Sequence, residues 1–216
     1  AHLRRSADPI MCVDHVDQAD AFSRVMAAAG LTLRVLIEVD IGLARVGIAP
    51  GKPAIELAQH IQRLPGLQLA GIMAYEGHLL TVKDLADKEA RIRQSLSVLV
   101  DTKHQLERLG IPCGIVSCGG TGSYVYSIQQ PGITEIQAGG AIFMDAFYRH
   151  GCQGADLDFA LTVLTTVVSR PAPERAVVDA GKKSMNVDVN PAFVLGRADI
   201  TVEALSAEHG KLRLAP

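Results

Sequence analysis

Apolar positions recur along the chain in two different periods, and the period changes once. Ile10–Val13 is an apolar run closed by Asp14. Residues 19–29 place apolar side chains at 21, 22, 25, 26 and 29, a helical spacing with Gly30 as its stop. Residues 35–39 read as a strand ending at Asp40. Residues 53–64 read as a helix that opens on Pro53, with Ile55, Ala58 and Ile61 on one face. A third strand is predicted at 69–75. Residues 83–109 predict a long helix with the stripe Leu85, Ile92, Leu96, Leu99 and Leu106, stopped by Gly110. Residues 115–117 and 135–138 predict two further strands, each followed by a glycine turn. From about residue 158 the texture becomes strand-like without helical stripes, at 161–168, 175–178, 200–205 and 211–214, with Pro171, Pro173 and Gly210 at turns.

Strand–helix–strand alternation implies parallel strands joined by right-handed crossovers. The predicted organisation is therefore an α/β unit at 1–155 and the start of an antiparallel β-domain at 156–216. Gly154, Asp156 and Asp158 are its candidate linker residues. The α/β part offers about five strands, whereas a closed (β/α)8 barrel needs eight. A small open sheet with a β appendage and the latter part of a barrel both fit this pattern.

Composition narrows the functional classes. Of the 216 residues 48% are hydrophobic, enough for a folded core, and the net charge is −2. That balance argues against a nucleic-acid partner, which calls for a basic face. The longest apolar stretch, 159–168, covers 10 residues and contains three threonines, against the roughly 20 apolar residues a membrane helix needs, so no membrane partner is expected. Cys12, Cys113, Cys118 and Cys152 show no Cys-x-x-Cys pair, which predicts reduced, mostly buried thiols in a cytoplasmic protein.

The candidate chemistry lies at strand ends. Cys118-Gly119-Gly120-Thr121-Gly122-Ser123 can turn backbone N–H groups and two hydroxyls toward a phosphate. Ala138-Gly139-Gly140-Ala141 follows the next strand, and paired glycine turns of this kind match the late-strand phosphate site of barrels. Neither ends in the Gly-Lys-Ser/Thr of a P-loop. Arg45 follows Glu38-Val39-Asp40 and offers a fixed cationic fork, or else pairs internally with Asp40 or Glu38. Tyr75-Glu76-Gly77-His78 presents a ring and an imidazole at another strand end, with a packing Tyr and a solvent-facing His as the alternative. Asp145 and Tyr148 follow the second glycine turn. Lys182 and Lys183, after Asp179-Ala180-Gly181, read chiefly as a solvated turn. His2, His15, His60, His104, His150 and His209 show no metal-like spacing and are expected at the surface.

As an ordered set these segments resemble the D-threonine aldolase and D-serine dehydratase family of fold type III pyridoxal-phosphate enzymes. The matching stretches are 36–42 with Arg45-Val46-Gly47, 69–78, 119–123, 135–145 with Tyr148, 178–181 and Glu208-His209-Gly210. The resemblance implies an alanine-racemase-like barrel, with about five of its eight strands present, followed by part of a β-domain. It implies a pyridoxal 5'-phosphate cofactor, with Arg45 near the phenolic oxygen and Tyr75 against the ring. Thr121, Gly122, Gly139 and Gly140 would hold the phosphate, and Gln137 would sit near the pyridine nitrogen. Tyr148 is implied as a further cofactor neighbour. The implied activity is that of a lyase acting on β-hydroxy-D-amino acids. Retro-aldol cleavage to glycine and an aldehyde is favoured over dehydration, and a non-catalytic cofactor-binding barrel is the rival.

Departures from the family pattern carry their own expectations. No lysine here occupies the position of the Schiff-base residue, which is expected upstream of this chain. A divalent metal (Mn, Mg or Zn) is expected in the complete enzyme, held by residues outside this chain. The chain therefore reads as an internal fragment, inactive alone, from a monomer or homodimer.

Overall fold

The computed structural model describes residues 1–152, 157–185 and 192–215. The chain separates into two units. One comprises Ala1–Gly139 together with Cys152, and the other Gly140–Gly151 together with the described residues from 157 onward. The candidate linker residues Gly154 and Asp156 lie outside the described residues.

The first unit is built from β1 (Ile10–Val13), α1 (Val16–Ala28), β2 (Leu33–Glu38), α2 (Lys52–Gln62), β3 (Leu67–Met73), α3 (Leu85–Arg108), β4 (Ile115–Cys118), α4 (Tyr124–Ser127) and β5 (Glu135–Ile136). Local chemistry sets the helix ends. His15 caps α1 through its ring nitrogen, and Gln18 reaches back to complete a capping box. Pro53 lies in the first turn of α2, where its missing N–H leaves no intrahelical bond unmade. Asp84 caps α3 by accepting the Asp87 amide at 2.8 Å. The α2 face Ala54, Leu57, Ala58 and Ile61 is buried at the spacing of one helical stripe.

All four strand pairings are parallel, and the spatial order β1-β2-β3-β4-β5 is the order of the sequence. Right-handed crossovers that always step the same way place every helix on one face. An open doubly wound sheet reverses direction and uses both faces. The sheet is thus a barrel wall, which settles the choice that the sequence pattern left open.

Alternation along the strands divides the side chains between two faces. Val13, Val35, Ile37, Val39, Ile72, Ala74, Val116 and Cys118 join the helix stripes in one buried core. Cys12, Leu36, Glu38, Met73, Ser117 and Glu135 occupy the alternate positions and form the inner face. At Gly71 the β2–β3 register shifts, and a Cβ there would lie 1.8 Å from the Ile115 carbonyl oxygen. Only glycine allows the three strands to meet at that point.

The second unit holds an antiparallel sheet ordered β6-β7-β9-β8. Its strands are β6 (Val167–Ala172), β7 (Arg175–Val178), β8 (Ile200–Leu205) and β9 (Gly210–Leu214). Its core is small, with Ala176, Val178 and Leu212 buried beneath Val194, Ile200, Val202 and Leu214.

Several expectations need correction. The strand predicted at 161–168 begins only at Val167, and Leu164 is 99% exposed. Thr165 Oγ1 and the Thr166 amide both donate to Asp179 Oδ1, at 2.7 and 2.8 Å, in place of a regular ladder. Pro171 lies inside β6 and not at a turn, which is tolerated because β6 is an edge strand with irregular register. Three of the four thiols are buried, in line with the expectation of mostly buried thiols, and Cys12 is exposed. Of the histidines expected at the surface, His60 is half-buried and bonded to Asp20 at 2.7 Å.

Candidate functional site

The turn after β4 is the most constrained segment of the first unit. Gly119 adopts φ +77, a left-handed conformation that favours glycine. The Gly120 carbonyl then accepts the Ser123 and Tyr124 amides at 3.1 and 2.9 Å, which starts α4. Two neighbours press on the turn. A Cβ at Gly120 would meet the Tyr75 ring at 2.9 Å, and one at Gly122 would meet Cys152 Sγ and Leu80 Cδ2 at 3.0 Å.

Among the buried side-chain polar atoms of this turn, one lacks a partner. Glu76 is fully buried, accepting the Gly119 amide at 3.2 Å on one carboxylate oxygen and the Ser127 hydroxyl at 2.6 Å on the other. Ser123 Oγ bonds Gly120. Thr121 is 1% exposed, and its Oγ1 has no hydrogen-bond partner among the described residues. A buried hydroxyl left in that state is costly, of order 1–3 kcal/mol, unless a ligand atom meets it.

Arg45 is presented by a second turn. Asp40 Oδ1 accepts the Gly42 and Ala44 amides at 2.9 and 3.1 Å, and these bonds hold its carboxyl below the usual range. Arg45 then lies 3.6 Å from Glu38 and 5.4 Å from the centre of the Tyr75 ring. Of the two internal partners expected for it, Glu38 is the one used. His78 is exposed and packs against Gly42.

Gln137 extends the inner face beyond β5. Its Nε2 donates to Ser117 Oγ at 2.9 Å, and Ser117 donates to Glu135 at 2.6 Å. The single Ser117 proton is committed to the carboxylate, so the Gln137 atom facing Ser117 must be the amide nitrogen. Gly139 donates its amide to the Gln137 carbonyl at 2.9 Å.

The structure thus brings Arg45 and Tyr75 together, places Tyr75 against the Thr121 turn, and anchors Gln137 on the same sheet. Gly140 and Tyr148 fall in the second unit. There the Gly140 carbonyl accepts the Met144 amide at 2.9 Å, and Asp145 accepts the Tyr148 amide at 2.9 Å. Lys183 pairs with Glu208 at 2.5 Å. Sequence reasoning missed Glu76, Ser117 and Glu135 as parts of the site. The alternation that puts Ser117 and Glu135 on one face was available as a signal. No group of three or more His, Cys, Asp or Glu able to hold a metal ion occurs among the described residues, and no helix there is long and apolar enough to cross a membrane.

Comparison with known proteins places the fold in a family. Residues 2–146 match the family model for the alanine racemase N-terminal domain, and residues 160–216 match a putative serine dehydratase domain. The chain belongs to the alanine racemase N-terminal domain family. More particularly, it is 35% identical over 216 residues to a D-threonine aldolase of an Arthrobacter species, covering 99% of this chain and 57% of that protein. It is 33% identical over 233 residues to a 3-hydroxy-D-aspartate aldolase of Paracoccus denitrificans (strain Pd 1222), covering 99% of this chain and 60% of that protein. Among solved structures it superposes on the D-threonine aldolase from Filomicrobium marinum with a TM-score of 0.93 at 34% identity, covering 99% of this chain and 58% of that one. A D-threo-3-hydroxyaspartate dehydratase from Delftia sp. HT23 gives a TM-score of 0.79 at 28% identity, covering 98% and 60%. The chain therefore spans a little under two thirds of the length of these relatives.

Proposed function

We propose that this chain carries the cofactor cradle of a pyridoxal-phosphate-dependent lyase acting on β-hydroxy-D-amino acids, with retro-aldol cleavage of a D-threonine-like substrate as its reaction. The observation that carries the reading is the buried, unpartnered Thr121 hydroxyl in the glycine turn beneath Tyr75. A phosphate ester fits the donors of such a turn, and Arg45 above the Tyr75 ring fits a planar group bearing a phenolate. The residues present therefore fit the cofactor. Among the described residues no group of metal ligands gathers, so no step is assigned to a metal. In this reading the two domains are 1–155 and 156–216, and the protein is cytoplasmic, as a monomer or homodimer.

When bound, pyridoxal phosphate supplies an electron sink for the pair released at the substrate Cα. The chain's own residues bind and orient. Thr121 Oγ1 and the Gly122 backbone hold the phosphate, whereas the Gly139 amide is already given to the Gln137 carbonyl. Tyr75 closes one face of the ring and excludes water there. Arg45 directs a fixed charge at the phenolic oxygen, while Glu38 limits its freedom to swing away. Gln137, its Nε2 fixed on Ser117, turns its amide toward the pyridine nitrogen as a neutral partner.

Titration with pyridoxal phosphate, followed by absorbance, tests the reading. Saturable binding that weakens about tenfold in Thr121→Ala, the worth of one hydrogen bond to a charged group, is expected. Equal binding by the variant overturns the assignment. Borohydride reduction and peptide mapping then show whether Lys182, Lys183 or another lysine holds the cofactor. Product analysis with D-threonine separates glycine plus aldehyde from a keto acid. The keto acid would favour the dehydratase reading, which the likeness to the Delftia dehydratase supports.

A further inference from the structure

Lys88, in the first turn of α3, is the largest fully buried side chain of the described residues. Its Nζ donates to the Cys152 carbonyl at 2.5 Å and lies 5.9 Å from the centre of the Tyr126 ring. No carboxylate pairs with it among the described residues. Lysine is almost never fully buried without a counter-charge, because desolvation of an ammonium costs several kcal/mol. Burial accordingly pushes its pKa down. The Cys152 carbonyl meets one of three N–H donors, and the Tyr126 face offers a weaker attraction.

The position of this charge is informative. Cys152, whose carbonyl Lys88 holds, is the residue whose Sγ and Cβ lie against Gly122. Tyr126 stands in α4, the helix that the same turn begins. The ammonium is therefore one residue layer behind the Thr121-Gly122 turn. That turn contains the other unsatisfied polar group of this region, Thr121 Oγ1. A cation without a counter-ion and a hydroxyl without a partner meet at one turn, and a dianionic ligand seated there would answer both.

We infer that Lys88 is a positioning residue that supplies the buried positive field for a phosphate ester bound at the 119–123 turn, acting through the Cys152 backbone it holds and without touching the ligand. The inference rests on the cofactor reading above and adds a charge that the glycine motif lacks. It also implies that Lys88 lowers the stability of the ligand-free protein, since its charge is uncompensated until the ligand binds.

The test compares the whole protein with Lys88→Met, which keeps the length and removes the charge, and Lys88→Arg, which keeps the charge. Each is titrated with pyridoxal phosphate, with pyridoxal and with inorganic phosphate. One elementary charge close behind a bound phosphate, at an effective dielectric near 20, corresponds to about tenfold or more in affinity. Lys88→Met is expected to bind pyridoxal phosphate about tenfold or more weakly, to bind pyridoxal within about twofold of wild type, and to melt no lower without ligand. Lys88→Arg is expected to recover most of the loss. Equal weakening toward both aldehydes, unchanged affinity for the phosphate ester, or a Lys88→Met protein that melts lower or fails to fold would each overturn the inference and make Lys88 a structural residue. A wild type that binds no pyridoxal phosphate defeats the cofactor reading alone. Inorganic phosphate then still tests the lysine, because it must raise the melting temperature of wild type more than that of Lys88→Met.

Discussion

Replacing Glu76 by Ala should loosen the 119–123 turn from behind. The carboxylate is fully buried, and it receives the Gly119 amide and the Ser127 hydroxyl. Each hydrogen bond to a charged group is worth about 1.5–3 kcal/mol, and the donors left without partners add to the loss. Removing the side chain should therefore cost about 3–5 kcal/mol, at the high end for a single substitution. Glu76→Gln keeps the volume and one acceptor oxygen but sets an NH2 group against one of the two donors, for a smaller loss of about 1–2 kcal/mol. Urea titration followed by far-UV circular dichroism gives the global figure. Hydrogen exchange of the peptide spanning 116–128 gives the local one, since the Gly119 amide loses its acceptor. A Glu76→Ala protein within about 1 kcal/mol of wild type, with unchanged exchange across that peptide, would refute the reasoning.

Other expectations follow from neighbouring features. Gly122→Ala brings a methyl to 3.0 Å from Cys152 Sγ and Leu80, so it should destabilise by about 1–3 kcal/mol and weaken pyridoxal-phosphate binding, both read by titration. Arg45→Lys keeps the charge but not the planar fork over Tyr75, so cofactor affinity should fall about as far as in Arg45→Ala, within threefold; full rescue by lysine would show that charge alone matters. The Asp40 carboxyl is held below its free value of 3.8 by the Gly42 and Ala44 amides, so its contribution is present above that value and is lost as pH falls through the lowered one. Asp40→Asn should flatten the acid limb of the stability profile, and an unchanged limb would count against this. Cys12 is exposed but its thiol is raised by partial burial and by Glu38 and Glu135, whereas Cys113 is pushed up to about 11 by burial. A thiol-reactive probe should therefore modify Cys12 first, with a rate that still climbs above the ordinary thiol range, and comparable labelling of Cys113 in the folded protein would contradict the burial.

The elements that could be read in advance are those fixed by local signals. β1, β7 and β8 fall where the apolar runs place them, and the three long helices differ by one to three residues at their starts. The glycine turns, Arg45 and Tyr75 were legible because their residue types are unusual at strand ends. Glu76 was not, because its burial is decided by partners 43 and 51 residues away. Lys88 was hidden for the same reason, since Asp-Lys-Glu-Ala-Arg reads as a solvated helix start and its partner lies 64 residues on. The false start of β6 came from β-branched residues at 163–168, whose hydroxyl and amide groups Asp179 captures in place of a neighbouring strand.

The sequential order of the parallel sheet has a bearing on how the protein is made. Each strand pairs with the one synthesised just before it, so the wall of the first unit can lengthen in step with the ribosome, without waiting for a distant segment. The inner-face groups do not share that property equally. Glu38 and Arg45 are in place early, but Ser117 gains Glu135 and Gln137 only when the last strand docks, and Lys88 gains its acceptor only when Cys152 emerges. The inner-face cluster is thus the last part of this unit to be completed in vectorial growth, and the proposed cofactor affinity, followed during translation, would serve as a clock for that completion.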